Sequence, residues 1–397
     1  MSKQKNSGIL FIIKYLLITF SIIISFSLTS LAEEVKTISE EEAIAIYLVN
    51  SYDVQKIKIE NQLLSMSYED SKENLGDQLN EVEASLKDYE EAKEDDSDDE
   101  QDLRDIYYKE ALNYANQEKQ FQLLDFDLIT LDEQETYAIS QEINTLREEL
   151  YDYYLLEQDL ALQEKQLSIS KQELDLITVQ YELGIVSELT VMENQYAYED
   201  LILKRDLTQH QIDLANEALK IKLSLPVENT YEFEIALPTT QFVEELSLEN
   251  MLTYYKTNNI TYVRQLEVVN ATNDYMTYLQ GVYPDNSIDE DYVETYYNYQ
   301  IDQINNEANL TNSINQVINT YYNYQSKNKS LLNTEADVAS ALKEYENEII
   351  AYESGQISLY QLDQAEYSYL QTIKTYEQSV IDLNNSLMEL LLLIYEE

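Results

Sequence analysis

The sequence predicts an all-α protein built from duplicated long antiparallel helical hairpins, with at most a short strand in the middle of the chain. Three observations carry that expectation. Tyr181-Glu182-Leu183-Gly184-Ile185-Val186-Ser187 is answered much later by Tyr352-Glu353-Ser354-Gly355-Gln356-Ile357-Ser358, so the same turn is written twice. Apolar residues recur at heptad spacing through nearly everything between the turns. Only five glycines and three prolines occur in 397 residues, so two glycines at equivalent points mark helix reversals, where glycine accepts the left-handed conformation that ends a helix.

Residues 1–32 read as a secretory signal peptide. Lys3, Lys5 and Lys14 precede an apolar run from Tyr15 to Leu28, and Ser30-Leu31-Ala32 offers small residues at the spacing of a cleavage site. The apolar run is short for a membrane span, which ranks cleavage ahead of an uncleaved anchor. The chain is therefore expected to be exported to the cell envelope or the extracellular space.

Ser39-Glu40-Glu41-Glu42 forms a capping box, and helical spacing follows from Ala43 through Leu86. An acidic loop is expected over residues 90–102, where Asp95, Asp96, Asp98, Asp99 and Glu100 repel one another. From Leu103 to Leu183 runs one uninterrupted helical pattern, about 120 Å long at about 1.5 Å per residue. It carries two stripes: Tyr153, Leu160, Leu167, Leu174 and Tyr181, and Leu155, Leu162, Ile169, Leu176 and Leu183. Two stripes require two neighbours, so the pattern implies a wall of helices rather than a two-stranded coil.

After the first glycine turn a helix from Ser187 to Leu225 shows Leu203, Leu207, His210, Leu214 and Ile221 on one face and Val191, Tyr198, Ile202, Ile212, Leu219 and Leu223 on another. Pro226 stops it, and Tyr231-Glu232-Phe233-Glu234-Ile235 alternates as a short strand. The division is thus a first repeat over 33–226, a linker over 227–246 and a second repeat over 247–397. In the second repeat Tyr283-Pro284-Asp285-Asn286-Ser287 is a turn, a long helix leads to Glu353, and Leu362, Tyr369, Ile373, Tyr376, Val380, Leu383, Leu387, Leu390 and Ile394 form the last heptad series. Each half reads as one long helix lying against two shorter helices stacked end to end.

Composition excludes several functions. With a formal charge of -51, the chain repels nucleic acid and anionic surfaces. It has no cysteine, no tryptophan and a single histidine, so thiol chemistry and soft metal sites are not expected. No nucleophile, base and orienting group recur together, so no enzyme and no cofactor is expected. The acidic loop supplies oxygen ligands for calcium but lacks the EF-hand glycine and periodicity, and a solvated apical loop is the simpler reading. His210, on an apolar stripe, reads as structural. The clusters Tyr151, Tyr153, Tyr154, then Tyr296, Tyr297, Tyr299, then Tyr321, Tyr322, Tyr324 read as fillers of partly wet seams rather than a path for sugars or drugs.

The two glycine turns and the helix plan resemble the TolC family of efflux channel proteins over nearly the whole mature chain. Tyr181, Gly184, Ser187, Leu189 and Val191 fit the family turn in the first copy, and Tyr352, Gly355, Ser358 and Leu362 in the second. The resemblance implies a homotrimer whose helices form a hollow cylinder. It also implies that the tips, Leu183, Gly184, Ile185, Val186 and Ser187 with Gly355, Gln356, Ile357 and Ser358, face a periplasmic adaptor of the membrane-fusion type and, through it, an ABC-type or other export transporter. Gln356 departs from the apolar residue usual after the glycine. A larger departure is that neither Glu90 to Asp102 nor Gln280 to Ile288 offers the membrane strands the family places there, which suggests a member without a barrel. The rival reading is a secreted or wall-associated coiled-coil structural or adhesion protein that transports nothing.

Overall fold

Helix breaks, more than helices, decide the architecture. The computed structural model describes residues 35–238, 247–283 and 289–395. The signal peptide, part of the linker and most of the Tyr283–Ser287 turn lie outside them. In chain order the elements are β1 (Lys36–Ser39), α1 (Glu40–Asn50), α2 (Tyr52–Glu94), α3 (Glu100–Ile129), α4 (Leu131–Glu182), α5 (Glu188–Lys222), β2 (Tyr231–Glu234), α6 (Leu248–Asn258), α7 (Ile260–Val282), α8 (Glu290–Glu353) and α9 (Leu359–Tyr395). The protein is all-α apart from a two-stranded parallel sheet in which Lys36 pairs with Tyr231 and Ser39 with Glu234. β2 matches the strand read from the alternation after Pro226. β1 is not among the elements the sequence predicts.

The capping box forms as expected: Glu42 N–H donates to Ser39 Oγ, and Ser39 N–H donates to the Glu42 carboxylate, both at 3.3 Å. The first helix is not continuous to Leu86, however. Ser51 leaves helical geometry at ψ 130°, and its hydroxyl accepts from Asp53 and Val54 to start α2. Asn259 does the same in the second repeat, accepting from Tyr262 at 2.7 Å. Each break lies four residues after a fully buried tyrosine, Tyr47 or Tyr255, whose carbonyl receives the cap N–H. That shared spacing, Tyr-x-x-x-Ser/Asn, was available in the sequence as a further sign of duplication.

The pattern from Leu103 to Leu183 is also interrupted. Thr130, the residue between α3 and α4, turns its hydroxyl back onto the Phe126 carbonyl at 2.9 Å and sits at φ -100°, ψ 16°. Such back-bonding competes with the helical ladder and bends it. By contrast α8 runs 64 residues unbroken, about 96 Å at 1.5 Å per residue. The acidic loop is shorter than the 90–102 expected. Helix α2 persists to Glu94, helped by Lys87 beside Glu91 and by Lys93 over the Tyr89 ring, so only residues 95–99 turn, with Asp96 at φ 51°.

The helices pack as a wall. Helices α2 and α5, stacked end to end, flank the long α3–α4 pair on one side; α7 and α9, likewise stacked, flank it on the other; α8 lies outermost beside α7 and α9. Two seams inside the chain thus join the repeats, α3 to α7 and α4 to α9. The principal core lies at mid-height, where Leu146, Leu150, Tyr151 and Tyr153 of α4 meet Ile38, Phe233, Leu219, Leu223 and Ile381. A second core gathers Met251, Tyr255, Val317, Tyr324, Leu383, Leu387 and Leu390. The end opposite the glycine turns is closed by tyrosines: Tyr108 packs on Tyr283 at 4.4 Å between ring centres, and Tyr283 stacks on Tyr292 at 4.8 Å. Tyr151, Tyr153 and Tyr324 are buried in seams as anticipated, whereas Tyr297 and Tyr322 are exposed.

Asn259 ties the second joint together. It is 1% exposed, and its amide donates to the Leu393 carbonyl at 2.9 Å, satisfying a carbonyl in the last turn of α9 while its oxygen caps α7. Asn259→Ala removes both bonds and leaves buried groups unpaired, and should lower unfolding free energy by about 2–3 kcal/mol in urea titrations. A loss under about 0.5 kcal/mol would mean the joint is held by something else.

Carboxylates crowd the mid-height seam. Desolvation, then Asp152 and Glu389, raise the Glu148 carboxyl; desolvation, then Glu149, raise Asp152; and desolvation is the leading cause for Glu157 and Glu377, against hydrogen bonds from Tyr153 and Tyr154 that lower them. The folded state therefore binds protons at these four groups more readily than the unfolded chain, and their contribution to stability grows as pH falls toward the carboxylate range. Asp363 acts oppositely: desolvation would raise it, but Lys165 and Gln172 hold it below its usual value, so its contribution is lost in stronger acid. The melting temperature should accordingly rise as pH is lowered from neutrality toward the carboxylate range, with Glu148→Gln flattening the rise. A falling midpoint over that interval would contradict this balance.

Candidate functional site

The two glycine turns are built alike, atom for atom on the backbone. In the first, Gly184 sits at φ +74°, its N–H donates to the Tyr181 carbonyl and the Ile185 N–H donates to the Gln180 carbonyl, both at 2.8 Å. In the second, Gly355 sits at φ +73°, its N–H donates to Tyr352 at 2.9 Å and the Gln356 N–H donates to Ala351 at 2.8 Å. This crossed pair of bonds is the Schellman ending, which needs the left-handed conformation at the glycine. Ser187 and Ser358 then start the return helices. Thr190 N–H donates to Ser187 Oγ at 3.2 Å, and Gln361 N–H donates to Ser358 Oγ at 3.3 Å, while Gln361 Oε1 accepts from Ser358 N–H at 2.9 Å.

The tips differ in what they show to solvent. The first exposes Leu183 at 70% and Ile185 at 67%, with Val186 half-buried. The second presents Gln356 where the first has Ile185, keeps Ile357 half-buried and exposes Tyr352 and Leu359. The sequence-predicted residues are therefore all placed at one end of the molecule, in two equivalent turns of which the first is the more apolar. Behind the tips, α4 and α9 are tied by polar bonds: Tyr360 donates to Glu173 at 3.1 Å, and Lys165 reaches Asp363 at 2.6 Å and Glu366 at 2.7 Å. Lys374 pairs with Asp159 further along the same seam.

The outer edges of the wall are apolar along much of their length. Of the two faces of α5, Ile212, Leu219 and Leu223 are buried against α4, whereas Leu189, Tyr196, Leu203, Leu207, Leu214 and Ile221 form a continuous exposed stripe at heptad spacing. His210 lies on that exposed stripe and not in a core, which corrects its structural reading. On the opposite edge α8 exposes Leu332, Ala336, Ala339 and Ile350 on one face near the tip, and Val293, Tyr297, Ile301 and Ile304 toward the other end. Helix α2 answers with exposed Tyr52, Ile59, Leu63 and Met66. Between the edges, α4, α5, α8 and α9 line a groove of about 850 Å³ furnished with amides and hydroxyls, among them Gln163, Gln166, Thr334, Gln371 and Thr375.

Among the described residues no three metal-capable side chains come together, and no helix is long and apolar enough to cross a membrane. The acidic turn is included in that statement.

Neither a protein-family model nor any curated protein sequence matches the chain. Solved structures do. A structure of CusC described in terms of transmembrane channel formation aligns with 92% of this chain and 95% of its own at a TM-score of 0.56 and 11% identity. The Campylobacter jejuni CmeC outer membrane channel aligns over 90% of this chain and 85% of its own at 0.54 and 12%, and the open Neisseria gonorrhoeae MtrE outer membrane channel over 91% and 93% at 0.54 and 11%. The chain has the TolC fold. The alignments cover about nine-tenths of this chain, so the likeness extends over nearly its whole length rather than over one part of it.

No atom lies within 4 Å of where a Cβ would stand on Gly184 or Gly355, so a side chain there meets open space and the cost of substitution is conformational. Gly184→Val and Gly355→Val should each lose about 1–3 kcal/mol, because a β-branched residue is strained at positive φ. The helices should survive, and circular dichroism with thermal melts reads both effects. Wild-type stability in either variant would mean the turn has another low-energy form.

Proposed function

We propose that this protein is a barrel-less, TolC-like component of an envelope export assembly, in which several copies close into a helical conduit or spacer and the glycine-turn tips engage an adaptor. The observation that carries the reading is the pair of unpartnered apolar edges. A helix in this wall needs a neighbour on each side, and α5 and α2 on one edge and α8 on the other lack one within the chain. A second copy supplies what is missing, because the edges lie on opposite sides of the wall and a head-to-tail contact between them forms a ring when its rotation closes. Three copies are what the resemblance implies. The groove lined with amides and hydroxyls would then face the interior.

The absence of a barrel rests on length. Only residues 95–99 separate α2 from α3, and five residues separate Tyr283 from Asp289, whereas one membrane strand needs about 9–11 residues. Such a protein suits an envelope layer it does not itself cross. Leu183 and Ile185 support the first tip as the stronger adaptor contact, with Gln356 weakening the second. Nearby in kind, the solved channels of this fold give no precedent for catalysis, and the protein is read as a non-enzyme.

In solution the mature chain should sediment as a closed oligomer and appear ring-shaped end-on in electron micrographs, and Leu203→Asp with Leu207→Asp should reduce it to helical monomers. A wild-type monomer at tens of micromolar would favour the structural, non-transporting reading. For the tips, a membrane-fusion-type adaptor encoded beside this protein should be retained by the wild type and lost with Ile185→Asp. Equal retention would remove the tips from the docking role.

A further inference from the structure

We propose that Lys343 on α8 pairs with Asp206 on α5 of the next copy and thereby sets the register of the ring; this rests on the edge-to-edge closure above. The starting point is the scarcity of positive charge, 25 lysines and arginines against 76 acids. Along the arm that ends at the tips, Lys165, Lys204, Lys222, Lys327 and Lys374 each engage a carboxylate of their own chain. Lys343 is exposed and takes no ion pair among the described residues. It stands on the same face of α8 as Leu332, Ala336, Ala339 and Ile350, so an unneutralised cation sits in the apolar stripe of the open edge. The two alanines beside it leave room for a helix to approach closely.

The height of Lys343 can be carried across the wall through bonds on the page. Tyr345, two residues from Lys343, stacks on Tyr369 of α9 at 5.5 Å. Tyr367, two residues from Tyr369, donates to Gln166 of α4 at 3.3 Å. Gln163, one turn back, donates to Thr208 of α5 at 2.9 Å. Asp206 lies two residues from Thr208, so Lys343 and Asp206 share one height to within about a helical turn, roughly 5 Å.

A cyclic ring relates its members by pure rotation, without translation along the axis, so groups at one height in a chain face groups at that height in the next. Asp206 is three residues after Leu203 and four before His210, which places it on the flank of the exposed α5 stripe. Its in-chain partner is the adjacent Arg205, bonded at 2.7 Å to one carboxylate oxygen, and its side chain is still 57% exposed. A long lysine rising from an apolar seam to a carboxylate at its rim is the arrangement by which charges on flanking positions choose partner and alignment in coiled coils. Where most surface charge is repulsive, one attractive pair discriminates among registers one heptad apart.

Charge reversal tests the pairing. Lys343→Glu and Asp206→Lys should each raise the concentration for half-assembly at least tenfold in sedimentation or mass-photometry titrations, with helicity unchanged, and Lys343→Glu combined with Asp206→Lys should recover most of that loss. Single variants that assemble like wild type, while Leu203→Asp with Leu207→Asp abolishes assembly, would overturn the pairing and leave the ring standing. Recovery of Lys343→Glu by Glu199→Lys instead of Asp206→Lys would overturn the stated register. A wild-type chain that stays monomeric would overturn the ring and the pairing with it.

Discussion

A helix with two apolar stripes cannot be satisfied by one neighbour, and nearly everything in this structure follows from that. The pairs α3–α4 and α5, α4 and α9, α9 and α8 exist because each helix must cover both sides, and the arrangement propagates sideways until the chain runs out. At that point two edges remain. A bundle would solve the problem by folding the wall on itself around a single core, but the polar furnishing of the groove between α5 and α8 offers no core to fold around. The cost of leaving the edges open is exposed leucine and tyrosine along most of the length. Burial of those stripes against a neighbour would be worth about 25 cal/mol per Å².

Electrostatics works against this at every seam. The chain is so acidic that close packing brings carboxylates together, and the raised carboxyls of Glu148, Asp152, Glu157 and Glu377 record the strain where α4, α9 and β2 converge. Several of the few cations bridge helices: Arg264 reaches Asp127 with two bonds at 2.5 and 2.8 Å across the α3–α7 seam, and Lys327 reaches Asp382 between α8 and α9. Tyrosine does the rest. It fills seams that are partly wet, and at the blunt end the rings of Tyr108, Tyr283 and Tyr292 close over Leu279 and Ala115.

Much of this was legible in the residues. The duplication, the glycine turns, the two-sided pattern of α4 and the strand at Tyr231 all follow from spacing and turn chemistry, because each is a local rule repeated. The breaks were harder. Ser51, Thr130 and Asn259 interrupt patterns whose apolar periodicity continues straight through them, so periodicity alone reads one helix where there are two. Their signal is a side chain that competes for the backbone, and it is weak until a partner such as the Leu393 carbonyl is in place. His210 is ambiguous for a related reason: an apolar stripe looks the same in sequence whether it faces the chain's own core or the outside. Which of two stripes is used within the chain depends on topology, and topology is not a property of the stripe.

The end-to-end joints have a consequence for how such molecules change length. Because α1 gives way to α2 at Ser51, and α6 to α7 at Asn259 where the end of α9 is held, the arm bearing the glycine turns and the arm bearing the tyrosine closure are separate lengths of coil that share only the long helices. Insertion of one heptad into each of α4, α5, α8 and α9 on the same side of the joints would add about 10 Å to one arm and preserve every stripe. The joints, the small sheet and the opposite arm would be untouched. A wall of this kind is a scaffold whose length can be adjusted in whole heptads without redesigning either end.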